Sequence, residues 1–107
     1  MNYKLLIDPL AKKDIIEIYK YVALSDSIDK AKRLLDNLER TYTNLEKLPE
    51  REHIPEELRG TGIKRFLEIH YKPYRIIYEI IENIVYVHCV LDGRRNMQEV
   101  LANRLLR

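Results

Sequence analysis

The chain has 107 residues, of which 46% are hydrophobic and 34% are charged, and its formal net charge is +2. This length suits one domain with its own hydrophobic core, so we expect a single domain over residues 1–107. The only cysteine, Cys89, excludes an internal disulfide bond and favours a reducing cytoplasm, and no apolar run is long enough for a signal peptide or a membrane span.

The first part of the chain predicts a short strand followed by a helix. Residues 3–7 are mostly apolar and end at Asp8 and Pro9, which predicts an edge or near-edge strand. Asp8 is a suitable cap for the next helix, and Pro9 suits its first turn. From residue 10 to about residue 24, apolar residues recur at steps of three and four, as in an amphipathic helix.

A second helix has the clearest periodicity in the chain. Asp26 or Ser27 can cap it, and Pro49 ends it. Its apolar positions alternate steps of three and four at Ile28, Ala31, Leu35, Leu38, Tyr42 and Leu45. With a short link between them, the two helices predict a helix hairpin that packs on a sheet. A coiled-coil dimer seam is the alternative, but a second apolar row favours a core-facing helix.

The second half of the chain predicts an antiparallel meander of three strands. A charged segment at residues 49–62, with two prolines and with two glycines near its end, is expected to be a loop. The three strands that follow are rich in Ile, Val and Tyr and occupy residues 63–70, 73–80 and 84–91.

A two-residue turn at Glu82 and Asn83 fixes the pairing of the last two strands. By strict alternation, one apolar face then carries three opposed pairs: Ile76 with Cys89, Tyr78 with Val87, and Ile80 with Val85. A turn at residues 71–74 likewise places His70 opposite Arg75 in the preceding pair of strands.

The opposite face of this sheet is predicted to be polar and open to solvent. It carries Glu68, His70, Arg75, Ile77, Glu79, Tyr86, His88 and Val90. A final helix, capped by Asn96 and running to about residue 106, follows Arg94 and Arg95, so both arginines lie near the positive end of a helix dipole. Residues 59–107 contain nine Lys and Arg against five Asp and Glu, which indicates a phosphate or an acidic partner.

These side chains would suffice for phosphodiester chemistry. Arginines hold phosphate, and a histidine moves a proton near neutral pH, as attack by a ribose 2′-hydroxyl requires. The alternative is a solvated face with ion pairs between Arg75 and Glu68 or Glu79. The spacing of the histidines and carboxylates matches no ligand pattern, so we expect no metal and no cofactor.

Three segments, together with the order of elements, resemble the toxins of type II toxin–antitoxin systems in the RelE/ParE superfamily. Residues 11–18 (AKKDIIEI) open the helix hairpin, residues 73–78 (PYRIIY) lie on the middle strand, and residues 90–96 (VLDGRRN) close the sheet. The resemblance covers nearly the whole chain. It implies an α+β fold with an N-terminal strand, a helix hairpin, a three-stranded antiparallel meander and a C-terminal helix, the helices packed on one face of the sheet.

The resemblance implies a cytoplasmic toxin that arrests growth and is neutralised by a cognate antitoxin, whose C-terminal segment wraps around it. ParE-like members poison DNA gyrase and are not enzymes, whereas RelE-like members are ribosome-dependent endoribonucleases that cleave mRNA without a metal. The long helix hairpin and the Gly-Arg-Arg turn favour the ParE branch. A RelE-like ribonuclease and a non-toxic interaction module are the alternatives, and a homodimer or a toxin–antitoxin hetero-oligomer is the expected assembly.

The resemblance also suggests site residues. Arg75 matches the family's strand arginine and Arg95 matches the arginine after its glycine turn. With His70, these two arginines would form the catalytic set if the protein is a ribonuclease. Four further residues are expected to contact the nucleic acid or another target: Tyr71, Lys72, His88 and Arg94.

The chain departs from the RelE-like pattern at three places. Phe66 and Glu68 stand where such enzymes use lysines, and Leu101 stands where they use a tyrosine in the last helix. Substitutes for those side chains would have to come from His70, Tyr71 and Lys72.

Overall fold

The structure is a computed structural model that describes residues 2–106. A strand opens this part of the chain and two helices follow it: β1 (Lys4–Ile7), α1 (Pro9–Ser25) and α2 (Ile28–Thr43). The Asp8 carboxylate accepts the backbone N–H of Leu10 at 2.8 Å, and the Ser27 hydroxyl accepts that of Lys30 at 3.1 Å. Side-chain caps of this kind satisfy N–H groups that have no partner in the first helical turn.

The second half of the chain contains the expected meander and a last helix. Its elements are β2 (Phe66–Tyr71), β3 (Tyr74–Ile81), β4 (Ile84–Asp92) and α3 (Met97–Leu105). The strand order is β1-β4-β3-β2, with β1 parallel to β4 and the other neighbours antiparallel. The predicted α+β class and order of elements are therefore confirmed. Residues 44–58 include three short 3-10 turns, so the second α-helix ends earlier than the periodicity predicted.

Most of the predicted register is confirmed. His70 pairs with Arg75 across β2 and β3, as the turn at residues 71–74 required. Across β3 and β4, Ile81 pairs with Ile84 and Tyr78 pairs with Val87. Short turns fix these pairings because each leaves only one register in which the apolar residues share a face.

One predicted pair is wrong because β4 contains a bulge. The register shifts between Ile77 and Tyr78, so that His88 is an extra residue and Ile77 pairs with Cys89. Ile76 was expected opposite Cys89 but pairs with Val90. An extra residue in one strand resets the alternation of side chains beyond it.

The bulge redistributes the end of β4 between two hydrophobic clusters, one on each face of the sheet. The first lies between the sheet and the helix hairpin of α1 and α2, and its buried residues are Ala11, Leu38, Leu45, Tyr74, Ile76, Tyr78, Val85, Val87 and Val90. The second lies between the opposite face and α3, and its buried residues are Leu58, Phe66, Ile77, Cys89, Leu91, Met97, Leu101 and Leu105. Cys89 was expected on the first face and Val90 on the second, and the bulge exchanges them.

The face predicted to be open to solvent is therefore covered. The helix hairpin packs on one face as expected, whereas α3 and the segment around Leu58 pack on the other. The expectation that all helices lie on one face fails for α3, because the apolar residues beyond the bulge give the second face a core of its own. Within residues 2–106, none of the helices is both long and apolar enough to cross a membrane.

Candidate functional site

Arg75 lies at the centre of a cluster of charged side chains on β2, β3 and the preceding loop. Its Nε donates to Glu68 Oε2 at 2.7 Å, and its two terminal nitrogens donate to Glu57 at 2.7 and 2.8 Å. A fourth hydrogen bond, of 3.1 Å, joins Nη2 to Glu68 Oε1. We call Arg75, Glu57 and Glu68 the Arg75 cluster.

The Arg75 cluster is shielded from solvent. The side chains of Arg75 and Glu68 are 13% and 3% exposed. The guanidinium hydrogen bonds hold the pKa of the Glu57 carboxyl below its usual range. Glu57 in turn raises the pKa of Arg75, so these two groups form a charged ion pair. Because two carboxylates face one guanidinium, Arg75 does not present a free positive charge to a phosphate.

Two imidazoles also reach Glu68. His70 Nε2 lies 3.2 Å from Glu68 Oε2, and His53 Nε2 lies 3.4 Å from Glu68 Oε1. The backbone explains both contacts. His70 is two residues from Glu68 on the same strand, so both point to the same face, and the His53 carbonyl accepts the backbone N–H of Glu68 at 2.8 Å. The structure therefore brings His70 and Arg75 together as expected, but around a buried carboxylate.

The two arginines of the turn after β4 point elsewhere. Arg94 forms an ion pair of 2.6 Å with Asp92, and Arg95 is exposed. Both line a groove of about 490 Å³ between the C-terminal half of α1 and the end of β4. Arg75 instead points into the cluster on the α3 side of the sheet, with Glu57 and Glu68. Arg75 and Arg95 therefore have different surroundings, and a shared role for them stays a prediction.

This groove has a mixed lining. Its walls combine apolar and tyrosine side chains with four carboxylates and the two arginines: Ile18, Tyr21, Val22, Tyr74, Val90 and Leu91, with Asp14, Glu17, Asp26, Asp92, Arg94 and Arg95, and also Ser25. Burial raises the pKa of Tyr74. Such a lining suits a protein segment with apolar and charged side chains better than a polyanion.

The remaining predicted contact residues are dispersed. The Tyr71 hydroxyl accepts a hydrogen bond of 2.8 Å from the Asn37 side chain, so it faces α2. Lys72 is exposed in the turn between β2 and β3. His88 Nε2 lies 2.9 Å from Glu79 Oε1, at the bulge. These residues do not form one surface, and their roles stay predictions.

A second ion pair, which is largely shielded from solvent, was not anticipated from the sequence. Arg104 donates to both oxygens of Asp14, at 2.9 and 3.0 Å, and also to the carbonyl of His88 at 3.2 Å. Asp14 Oδ2 accepts the backbone N–H of Val90 at 3.0 Å. The pair joins α3 to α1 around the bulge. Asp14 and Arg104 are 90 positions apart in the sequence, so no local spacing predicts their contact. The positions of Glu57 and His53 beside Glu68 likewise cannot be predicted from local spacing.

Several large apolar side chains are exposed around the turn of the helix hairpin. Leu24 is 89% exposed, Tyr21 is 65% exposed and Ile28 is more than half exposed. Exposed apolar residues in one neighbourhood mark a surface that a partner covers. Tyr21 belongs both to this surface and to the lining of the groove.

Comparisons with known proteins agree with this architecture. Residues 5–97 match the family model of the ParE toxin of the type II toxin–antitoxin system parDE. A search of curated proteins by sequence gives no significant match.

Three solved structures have similar folds. A chain of the chromosomal ParDE toxin–antitoxin system from P. aeruginosa has a TM-score of 0.69 at 11% identity, over 82% of this chain and 92% of that one. A doubly substituted E. coli RelE toxin in the free state has a TM-score of 0.64 at 18% identity, over the whole of both chains. A chain of the RelBE2 toxin–antitoxin complex from Mycobacterium tuberculosis has a TM-score of 0.59 at 18% identity, over 84% and 96% of the two chains.

At these identities the structural likeness establishes the fold, which is the fold of RelE/ParE superfamily toxins. The family model spans most of the chain, from within β1 to the first residue of α3. The chain therefore belongs to the ParE toxin family of type II toxin–antitoxin systems.

Proposed function

We propose that this toxin acts as a poison of DNA gyrase, in the cytoplasm, and has no catalytic activity of its own. The observation that carries the proposal is the Arg75 cluster, in which Glu57 and Glu68 neutralise the arginine that a ribonuclease would use on phosphate. The match to the ParE family model over residues 5–97 supports the same branch.

The places where RelE-like enzymes carry lysines and a tyrosine support this choice. Phe66, Glu68 and Leu101 occupy them here, and all three side chains are buried. A buried phenylalanine, carboxylate and leucine can neither bind a scissile phosphate nor move a proton to its leaving group. The ribonuclease alternative would need a different set of residues.

We further propose that a cognate antitoxin binds the exposed apolar surface around Tyr21 and Leu24 and the adjoining groove. Two of the similar structures are from a toxin–antitoxin system or complex. The groove carries four carboxylates and two arginines beside apolar side chains. An antitoxin segment with apolar anchors and basic side chains is complementary to this lining.

A gyrase assay with purified proteins tests the proposed target. Toxin is added to gyrase and plasmid DNA, with and without antitoxin, and both supercoiling and trapped cleavage complexes are measured. We expect reduced supercoiling and accumulated cleavage complexes, and we expect the antitoxin to reverse both. Arg95→Ala should weaken the effect, because Arg95 is an exposed cation at the edge of the groove. Arg65→Ala is the matched control, since Arg65 is an exposed arginine just before β2 and does not line the groove.

Unchanged supercoiling at a large excess of toxin would rule out the gyrase target. Primer extension on transcripts from cells that express the toxin then tests the ribonuclease. Cleavage within reading frames would assign the chain to that activity and overturn the proposal of a non-catalytic toxin.

A further inference from the structure

We propose that His53, Glu68 and His70 form a binding site for Zn²⁺ or a similar transition-metal ion. Each residue offers one ligand atom, and the three atoms all lie within 4.8 Å of one another. Two imidazoles and one carboxylate are a common set of protein ligands for Zn²⁺, which leaves a fourth position for water.

Two of the distances between ligand atoms are close to those found around a tetrahedral ion. Bonds of roughly 2.0–2.2 Å to nitrogen and oxygen place neighbouring ligand atoms about 3.3 Å apart. His53 Nε2 and His70 Nε2 lie 3.4 and 3.2 Å from the two oxygens of Glu68. His53 and His70 are about half exposed, so both imidazoles have room to turn toward a shared ion.

The backbone holds the three ligands in place. Glu68 and His70 are alternate residues of β2, so they share a face. His53 is fixed beside them by the hydrogen bond of 2.8 Å between the Glu68 N–H and the His53 carbonyl. This bridge pairs residue 53 with the edge of β2. The site is therefore assembled by the fold before an ion binds, which lowers the cost of ordering the ligands.

The surroundings orient and balance the carboxylate. Arg75 binds both oxygens of Glu68, at 2.7 and 3.1 Å, and such outer hydrogen bonds fix the orientation of a metal ligand. Glu57 offsets the positive charge of Arg75. Two carboxyl groups against one guanidinium give this cluster an excess of acidic groups, which favours a bound cation.

The ligand types select the class of ion. Mg²⁺ and Ca²⁺ prefer sites made of oxygen atoms, whereas imidazole nitrogen favours Zn²⁺, Co²⁺, Ni²⁺ and Cu²⁺. We therefore expect Zn²⁺ and Co²⁺ to bind and Mg²⁺ not to compete with them. The ion would tie the loop at residue 53 to β2 next to the Arg75 cluster.

Metal titration of the full-length, tag-free protein tests the proposal. The protein is treated with a chelator and dialysed, and it is then titrated with Co²⁺, whose visible absorption reports tetrahedral coordination, and with Zn²⁺ in calorimetry. We expect one ion per chain. His53→Ala and His70→Ala should each lower the affinity at least about tenfold, since even the loss of an outer-shell group costs that much.

His88→Ala is the matched control. His88 contacts a carboxylate, Glu79, at 2.9 Å but belongs to no group of three ligands in residues 2–106. Its removal should leave the metal affinity unchanged. Far-ultraviolet circular dichroism of each variant confirms that it folds, and His53→Ala is expected to fold because half of that side chain is exposed.

The readout is metal binding, so it is independent of the cellular target. If the wild-type protein binds no Zn²⁺ at micromolar to submillimolar concentrations, the site does not exist. If binding is equally tight in His53→Ala and His70→Ala, the ion binds elsewhere, and the proposal is overturned in the same way.

Discussion

Gly93 and Arg75 are in direct contact: a Cβ atom at Gly93 would lie 2.9 Å from Arg75 Cδ and 3.0 Å from the carbonyl oxygen of Pro73. The Gly93 N–H also donates to that carbonyl at 2.8 Å. The glycine of the turn after β4 is therefore required by the close approach of the Arg75 side chain. The two motifs that carried the family resemblance, on β3 and after β4, form a single packed unit.

Gly93→Ala is expected to displace the Arg75 side chain and lower the free energy of unfolding by about 1–3 kcal/mol, since the added methyl group overpacks the contact. Urea denaturation followed by circular dichroism measures the effect. Gln98→Ala, at an exposed helical position, serves as the control. A loss below about 0.5 kcal/mol would show that Arg75 adjusts freely.

Arg75→Met should destabilise the protein by about 3 kcal/mol, because Glu68 would keep a buried charge without its guanidinium partner. Contacts from the two imidazoles beside Glu68 can replace part of the lost stabilisation. The expected loss of stability is therefore at the lower end of the range for buried ion pairs. The same denaturation experiment with Arg65→Met, at an exposed arginine, should give a change within about 0.5 kcal/mol. Equal losses in the two variants would contradict a structural role for the Arg75 cluster.

The ion pair between Asp14 and Arg104 should show strong coupling in a double-mutant cycle. Both side chains are more than four-fifths buried, so we expect an interaction energy of about 2 kcal/mol from Asp14→Ala, Arg104→Ala and the double variant. The pair of Asp26 with Lys30, whose side chains are about half exposed, is the matched control and should couple by less than about 0.5 kcal/mol. Similar couplings in the two pairs would mean that burial does not strengthen the contact.

The Cys89 thiol should be inert in the folded protein. Burial raises the pKa of this thiol to about 12, and the thiolate is the reactive form. Iodoacetamide at pH 8 is therefore expected to modify Cys89 only after unfolding in urea, as measured by mass spectrometry. Rapid alkylation of the native chain would show that the cluster under α3 opens readily.

Glu57 should contribute stability that disappears in acid. Arg75 lowers the pKa of this carboxyl below its ordinary value of 4.5, so the contribution is complete above that value and is lost as the pH falls through the lower, folded-state pKa. The difference in unfolding free energy between wild type and Glu57→Gln should thus be positive at pH 7 and should shrink below pH 4.5. Denaturation curves at several pH values measure it, with Glu56→Gln at the exposed neighbour as the control for removing one negative charge. A difference that stays constant down to pH 3 would contradict the assignment.

Local sequence patterns were sufficient to predict the helices and strands and most of the register of the sheet. The turn at Glu82 and Asn83 has only one register that keeps Tyr78, Ile80 and their partners on one face, so strand pairing followed from side-chain alternation. The bulge at His88 could not be predicted this way. An extra residue is tolerated where tertiary contacts hold its backbone, and here Arg104 and Asp14 supply those contacts.

The candidate site could be predicted from the sequence less completely than the fold. Arg75 and His70 were correctly placed side by side, because they are opposed residues of a predictable hairpin. Their chemistry depends on Glu57 and His53, which come from a loop whose path no periodicity determines. The expected cationic surface was wrong for this reason: the charge that neutralises Arg75 arrives from outside the sheet.

The short length of β1 has a final consequence. β1 pairs with residues 84–87 of β4, and beyond that point the His88 carbonyl and the Val90 N–H are occupied by Arg104 and Asp14. A foreign strand cannot extend the sheet there without first pulling those two side chains away. Two toxin molecules are thereby kept from joining edge to edge along this stretch, and any ligand that enters from this direction must be recognised through its side chains.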